Sequence, residues 1–248
     1  MNLAKDFSKS FFHTEHTSGL IFKPEQYNQF DKSTIREVFN SAKKVFFVSQ
    51  YALDETLDQY SVVKTNSHEV LPNVVDDLFF DKSESSDNTF ELFRYLTISN
   101  LIPRKRVDLL LRAWLVVLRV FPDSRLTIAG DGPEKENLIS FVKLHGLEQS
   151  VNFVPKLSRS EVKSLIEKHH VLVSASELET FGLTVAEAQA MGKPVVVTDS
   201  GGVRDIIEFK TGILTKHTVE DFVQGLVQVQ ANYNSYHADI IRGITKDK

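Results

Sequence analysis

The sequence predicts an α/β protein with one complete doubly wound parallel sheet, preceded by a partial second unit of the same kind. Three observations carry this. From Leu92 onward, short runs rich in Val, Ile and Leu alternate with helical segments, as in parallel strands buried on both faces. Capping and stop signals fall between the runs. The composition, 42% hydrophobic and 25% charged over 248 residues, is that of a folded chain long enough to bury its core without staples.

The elements follow in order. Phe11-Phe12 leads into His13-Thr14-Glu15-His16, read as a strand end. Ile35, Val38, Phe39 and Ala42 form a helical stripe, Val45 to Val48 a strand, and Ser49 caps the next helix. About two strands thus precede Pro72-Asn73 and the polar, acidic link from Asp76 to Asn88, so the first unit is residues 1–88. The second unit, 89–248, holds strand runs at Tyr95-Leu96-Thr97-Ile98, Leu126-Thr127-Ile128-Ala129, Val151-Asn152-Phe153-Val154, Val171-Leu172-Val173 and Val195-Val196-Val197. Leu109 to Phe121 is broken by Arg112 and Arg119 and reads as a helix, not a membrane span. Gly146 follows Leu144 and His145 as a helix stop. Ser158 and Glu161 fit a capping box ahead of Val162, Leu165 and Ile166. His169-His170 reads as a cation pair in a last helical turn. A further helix starts near Gly182 and ends at Gly192-Lys193-Pro194.

Composition excludes several classes of function. With no cysteine there is no disulfide scaffold, no thiol nucleophile and no Cys-ligated metal. A net charge of −4, from 29 basic and 33 acidic residues, argues against nucleic acid as the partner of the whole chain. The first residues, Met1 to Asp6, lack the apolar stretch of a signal peptide. A cytoplasmic protein is the expectation, with attachment at a membrane surface left open.

The most informative string runs from Ser174 to Pro194. A strand ends near Ser174, a polar loop follows, and a helix begins near Gly182. Strand carboxyl ends are where open α/β sheets place ligands. The N–H groups of Phe181, Gly182, Leu183 and Thr184 would form an anion site at that helix start. Glu179 in the loop and Glu187 two turns on would bracket a polyhydroxylated ligand, since carboxylates accept from hydroxyls. A surface loop with two solvated glutamates is the plainer alternative for either residue alone.

This string resembles the Glu-x7-Glu motif of GT-B retaining glycosyltransferases, family 4 (glycosyl transferases group 1). Other pieces occur in the family's order. Leu96 to Leu110, containing Asn100 and Lys105, resembles its Gly-Arg-Leu … Lys-Gly segment. Gly130-Asp131-Gly132-Pro133 resembles its Gly-x-Gly-Pro turn, and Gly201-Gly202 its Gly-Gly turn. Thr14-Glu15-His16 and Leu71 to Asp76 resemble the end of its N-terminal domain. The resemblance covers about Phe12 to Thr215.

It implies a GT-B fold, with 1–88 the remnant of an acceptor-side Rossmann-like domain and 89–248 the donor-binding one. It implies a nucleotide-diphosphate-sugar donor, a hydroxyl acceptor of unknown nature and transfer with retention, with no cofactor and no metal. Glu179 would contact the donor sugar and Glu187 the ribose. Phe181, Gly182, Leu183 and Thr184 would offer N–H groups to sugar and phosphate. Lys105 would pair with the diphosphate, Asn100 would stand beside it, and Gly130 would let the donor approach. His16 would sit near the reacting carbon. An N-terminal truncation is also implied, so a partner chain supplying the missing half, a non-catalytic donor-binding fragment and a sugar-nucleotide epimerase remain alternatives.

The sequence departs from the family pattern in four places. Asn100 stands where the family has a phosphate-binding Arg, Ser99 and Arg106 where it has Gly, and Val74 where it usually has Gly. Gly130-x-Gly132 lacks the third glycine of a dinucleotide fingerprint, and no P-loop or Asp-x-Asp pair occurs.

Overall fold

The computed structural model describes residues 10–16, 19–22, 29–62, 67–81 and 92–246. The domain boundary expected at 88/89 lies outside the described residues. By contact the chain forms two compact units. Among the described residues, the first comprises those up to Val74 together with Leu178–Phe181 and Gly201–Asp205, and the second holds the others.

The second unit is built on a six-stranded, all-parallel sheet. Its strands are β4 (Arg94–Ile98), β5 (Arg125–Ala129), β6 (Val151–Val154), β7 (Val171–Ser174), β8 (Val195–Thr198) and β9 (Gly212–Thr215), in the order β6-β5-β4-β7-β8-β9. The order reverses between β4 and β7, so the loops after these two strands flank the sheet's switch point. The helices between the strands are α4 (Val107–Val120), α5 (Lys135–Leu144), α6 (Arg159–Glu167) and α7 (Leu183–Ala190), followed by α8 (Val219–Ala231) and α9 (Ala238–Lys246). No helix among the described residues is long and apolar enough to cross a membrane.

The core of this unit follows from the apolar face of α4. Leu110, Leu111, Trp114 and Val117 are buried against Tyr95, Ile128 and Val173 of the sheet and Leu226 of α8. Burying large aromatics requires partners for their polar ends. Trp114 Nε1 donates to Ser150 Oγ at 3.2 Å, and the Tyr95 hydroxyl lies 2.8 Å from the Leu226 carbonyl. The capping box forms: the Glu161 carboxylate accepts from the Ser158 N–H at 2.8 Å and from its hydroxyl at 2.6 Å.

The first unit contains β1 (Phe12–Glu15), β2 (Lys44–Phe47) and β3 (His68–Val70), parallel in the order β1-β2-β3, with α1 (Gly19–Phe22), α2 (Gln29–Ser41) and α3 (Gln50–Gln59). Ser49 caps α3, its hydroxyl accepting from the Ala52 N–H at 3.0 Å.

Three expectations are corrected. The first unit has three strands, not two: β3 is only three residues long and has Glu69 at its centre, so it lacks the apolar run that marks a buried strand. The second sheet has a sixth strand, β9, whose opening Gly212 hides the strand signal. The glycine fits because an added Cβ would lie 2.4 Å from the Val195 carbonyl oxygen. His169 and His170 are not cations. Both are buried, and burial pushes each down to about 4. His169 Nδ1 lies 2.7 Å from the Leu165 carbonyl and its Nε2 2.8 Å from Thr127 Oγ1, whereas His170 Nδ1 accepts from the Arg94 N–H and its ring stacks on Phe93.

The histidines set a pH dependence of stability. Their folded values lie below the ordinary 6.5. Between about pH 6.5 and 4 the unfolded chain therefore binds more protons than the folded one. The stability is present above pH 6.5 and lost as pH falls, by on the order of 3 kcal/mol for His169. Urea unfolding across this window should show the loss, and His169→Gln should reduce it; an unchanged slope in that variant would contradict the assignment.

Candidate functional site

The carboxyl ends of β4 and β5 are held together by backbone. The Ser99 N–H donates to the Ala129 carbonyl at 3.0 Å, and the Leu101 N–H to the Asp131 carbonyl at 2.8 Å. This approach leaves no room for a side chain at Gly130, where φ is +145° and an added Cβ would lie 1.9 Å from the Ser99 carbonyl oxygen. The protein's own backbone thus accounts for this glycine, independently of any ligand. Asn100 is exposed at the tip of the turn. A 3-10 turn, Pro103–Lys105, then leads into α4. It places half-buried Lys105 just before Arg106, whose backbone is left-handed at φ 46° and ψ 39°. The Glu177 N–H, in the loop after β7, donates to the Arg104 carbonyl at 2.8 Å. The loops on either side of the switch point are therefore joined.

Helix α7 begins at Gly182, which is left-handed at φ 93°. Its first internal bonds run from the Val185 and Ala186 N–H groups to the Gly182 carbonyl, at 2.9 and 3.1 Å. The N–H groups of Leu183 and Thr184 lie ahead of those bonds, at the positive end of the helix dipole. One turn on, Glu187 is 6% exposed, in a helix whose neighbouring residues from Val185 to Ala190 are all buried. Burial raises its pKa, Arg159 opposes the rise, and Asp76 adds to it. Arg159 Nη2 is 3.1 Å from Glu187 Oε1 and Arg159 Nε is 3.7 Å from Asp76 Oδ2. The same guanidinium lies over the Phe79 ring, 5.3 Å from its centroid. Asp76 in turn accepts from the Leu78 N–H at 3.0 Å, capping the 3-10 turn Asp77–Phe79.

The remaining site residues belong to the first unit. His16 is exposed at the end of β1, and its carbonyl accepts from Thr180 Oγ1 at 3.1 Å. Half-buried Glu179 forms a parallel bridge with Gly201, and its carbonyl accepts from the Gly202 N–H at 2.9 Å. A Cβ on Gly202 would meet the Thr180 carbonyl oxygen at 2.0 Å. The double glycine is thus a requirement of the Glu179 loop. Phe181 is buried. His16 and Glu179 fall in one unit, and Asn100, Lys105, Gly130, Gly182, Leu183, Thr184 and Glu187 in the other; the Glu-x7-Glu string divides at Phe181/Gly182.

Three residues of these sites were missed in the sequence: Arg159, Asp76 as its partner, and Thr180. Arg159 follows a capping serine, and nothing local in the sequence marks it. Only the fold brings it to Glu187, 28 positions away.

The family model of the glycosyl transferases group 1 matches residues 79–246. The chain is similar to an uncharacterized glycosyltransferase of Haemophilus influenzae, 34% identical over 134 residues, covering 53% of this chain and 37% of that protein. It is similar to mannosylfructose-phosphate synthase of Agrobacterium fabrum, 27% identical over 226 residues, covering 79% of this chain and 50% of that one. The matches with these relatives thus span from about a third to half of the relatives' length. Among solved structures, Anabaena Alr3699/HepE in complex with UDP and glucose superposes with a TM-score of 0.83 at 20% identity, covering 98% of this chain and 68% of that chain. Sucrose-phosphate synthase from Thermosynechococcus elongatus does so with a TM-score of 0.83 at 19% identity, covering 99% and 65%. The fold is of the GT-B type.

Two glycine-related substitutions should act in opposite directions. Gly130→Ala meets the Ser99 carbonyl and should cost at least about 3 kcal/mol. Arg106→Gly removes left-handed strain of about 1–2 kcal/mol, against about 0.5–1 kcal/mol of added unfolded-state freedom. The Arg106–Asp108 contact, 3.4 Å and half-exposed, contributes little. Arg106→Gly should therefore raise stability by about 0.5 kcal/mol. Paired thermal melts check both; a clear loss for Arg106→Gly would contradict the backbone account.

Proposed function

The chain belongs to the glycosyl transferases group 1 family, and from that premise we propose that it serves in sugar transfer from a nucleotide-diphosphate donor to a hydroxyl acceptor, with retention at the transferred carbon. The observation that carries this reading is a buried carboxylate on the second turn of a helix that starts at a left-handed glycine, beside the sheet's switch point. That arrangement suits a ligand with a diol at one end and a diphosphate at the other. Ionised Glu187 accepts from the ribose hydroxyls. The N–H groups of Gly182, Leu183 and Thr184, with that of Phe181, face the phosphates or the sugar at the positive end of α7.

Charge grows on the leaving diphosphate as the bond to the sugar breaks. Fixed N–H dipoles and Lys105 stabilise it more in the transition state than before it. Asn100 offers an amide donor but no charge where the family has Arg, so Lys105 carries the neutralisation. Glu179 accepts from the sugar hydroxyls. His16 serves the reacting centre and is fixed through its carbonyl by Thr180. No metal is needed in this scheme, since the cationic work falls to Lys105 and the helix end.

Calorimetry with UDP, GDP and their sugar derivatives tests the scheme. Glu187→Ala should weaken plain nucleotide and sugar nucleotide alike, by about 1–3 kcal/mol for a charged hydrogen bond. Glu179→Ala should spare plain nucleotide and weaken only the sugar-bearing donor. The absence of binding by the wild type at millimolar ligand, or equal effects of both changes on both ligands, would sink the proposal.

A further inference from the structure

Glu187 poses an electrostatic problem that its own helix does not solve. A carboxyl among buried Val185, Ala186, Ala188 and Ala190 favours its neutral form. In that form one oxygen carries a proton and the group no longer accepts at every site. Strands β7 and β8 offer no help, because Val171 to Val173 and Val195 to Val197 have no titratable side chains. On α9, Arg242 is engaged by the Met191 carbonyl and Asp239, at the far end of α7. Lys163 of α6 pairs with Asp81. Lys193, beyond the end of α7, donates to the Glu167 carbonyl. Asp76 brings a second negative charge towards the same place. Arg159 stands between the two carboxylates.

We infer that Arg159 is a positioning residue for the donor site: its guanidinium, mounted on the Phe79 ring and anchored by Asp76, holds the Glu187 carboxylate ionised and aimed for the nucleotide's ribose. The inference rests on the role given to Glu187 above. Three contacts to one planar group fix its orientation in a way a single surface ion pair does not. Arg159 is itself 53% exposed, so it keeps part of its hydration while neutralising a partner that is 8% exposed at the side chain. That asymmetry makes the pair matter: removing the arginine leaves a buried charge without its partner. A carboxylate has about four acceptor positions, so Oε1 can serve Arg159 while the group still receives hydroxyls.

The test uses the full chain and two readouts. The first is ¹³C NMR of labelled glutamate carboxyls, with the Glu187 signal assigned by Glu187→Gln. Arg159→Ala should move its titration midpoint to higher pH, and Arg159→Lys should restore most of the wild-type value. The second is the affinity for UDP and GDP. Arg159→Ala should weaken binding on the order of tenfold at mildly acidic pH, the scale of one charge-assisted hydrogen bond, and progressively less as pH rises and Glu187 ionises without the arginine. In the Glu187→Gln background, Arg159→Ala should have no further effect. Arg159→Gln, which keeps a donor and the stem, replaces the alanine variant if that one folds poorly. An unmoved carboxyl midpoint would overturn the inference. So would an equal, pH-independent loss in both backgrounds, which would make Arg159 a direct nucleotide contact or a merely structural one. Wild-type protein that binds neither nucleotide would overturn the donor-site reading instead, and the carboxyl titration would still decide the Arg159–Glu187 pairing.

Discussion

The close approach of backbone at the carboxyl edge of the six-stranded sheet is the constraint on which the second unit's site depends. Parallel strands end together there, and the chain must leave each of them without stranding polar groups. It does so by letting one loop finish the other's hydrogen bonding: Ser99 to Ala129, Leu101 to Asp131, and Glu177 to Arg104. These bonds require a residue without a side chain at position 130. They also set the level at which Asn100, Lys105 and the loop leading to Gly182 emerge.

The same unit treats its buried titratable groups in two ways. His169 and His170 give up their charge, because burial and the nearby Lys193 and Arg94 disfavour the cation more than the Leu165 carbonyl beside His169 favours it. Glu187 is buried as well, but it has a guanidinium at 3.1 Å. Burial raises the Glu187 pKa and the guanidinium opposes that rise, so the partner as well as the burial bears on the charge of this group.

In the first unit the constraint is again backbone contact. The double glycine lets its turn lie against the Thr180 carbonyl and pair with Glu179, and Thr180 reaches the His16 carbonyl. Segments far apart in sequence, at His16 and at Glu179-Thr180, are thus joined through the Thr180 hydroxyl and the His16 carbonyl.

Much of the fold could be read from the residues. The Val-rich runs, the Ser158–Glu161 box, the Ser49 cap and the glycine stops are local signals with local causes, and they reappear as five strands, two caps and the helix ends. The short strands β3 and β9 escaped because their signal is not local: Glu69 and Gly212 are tolerated only where a neighbouring strand completes the ladder. The spacing of Glu179 and Glu187 and the glycine at 182 likewise pointed to a loop and a helix start. Their surroundings did not follow from spacing. That Gly130 answers to Ser99, that two histidines are neutral, and that Arg159 faces Glu187 are consequences of long-range packing. A sequence encodes hydrogen-bonding capacity and side-chain period residue by residue, whereas desolvation and charge pairing depend on which distant groups the closed chain brings within a few ångströms.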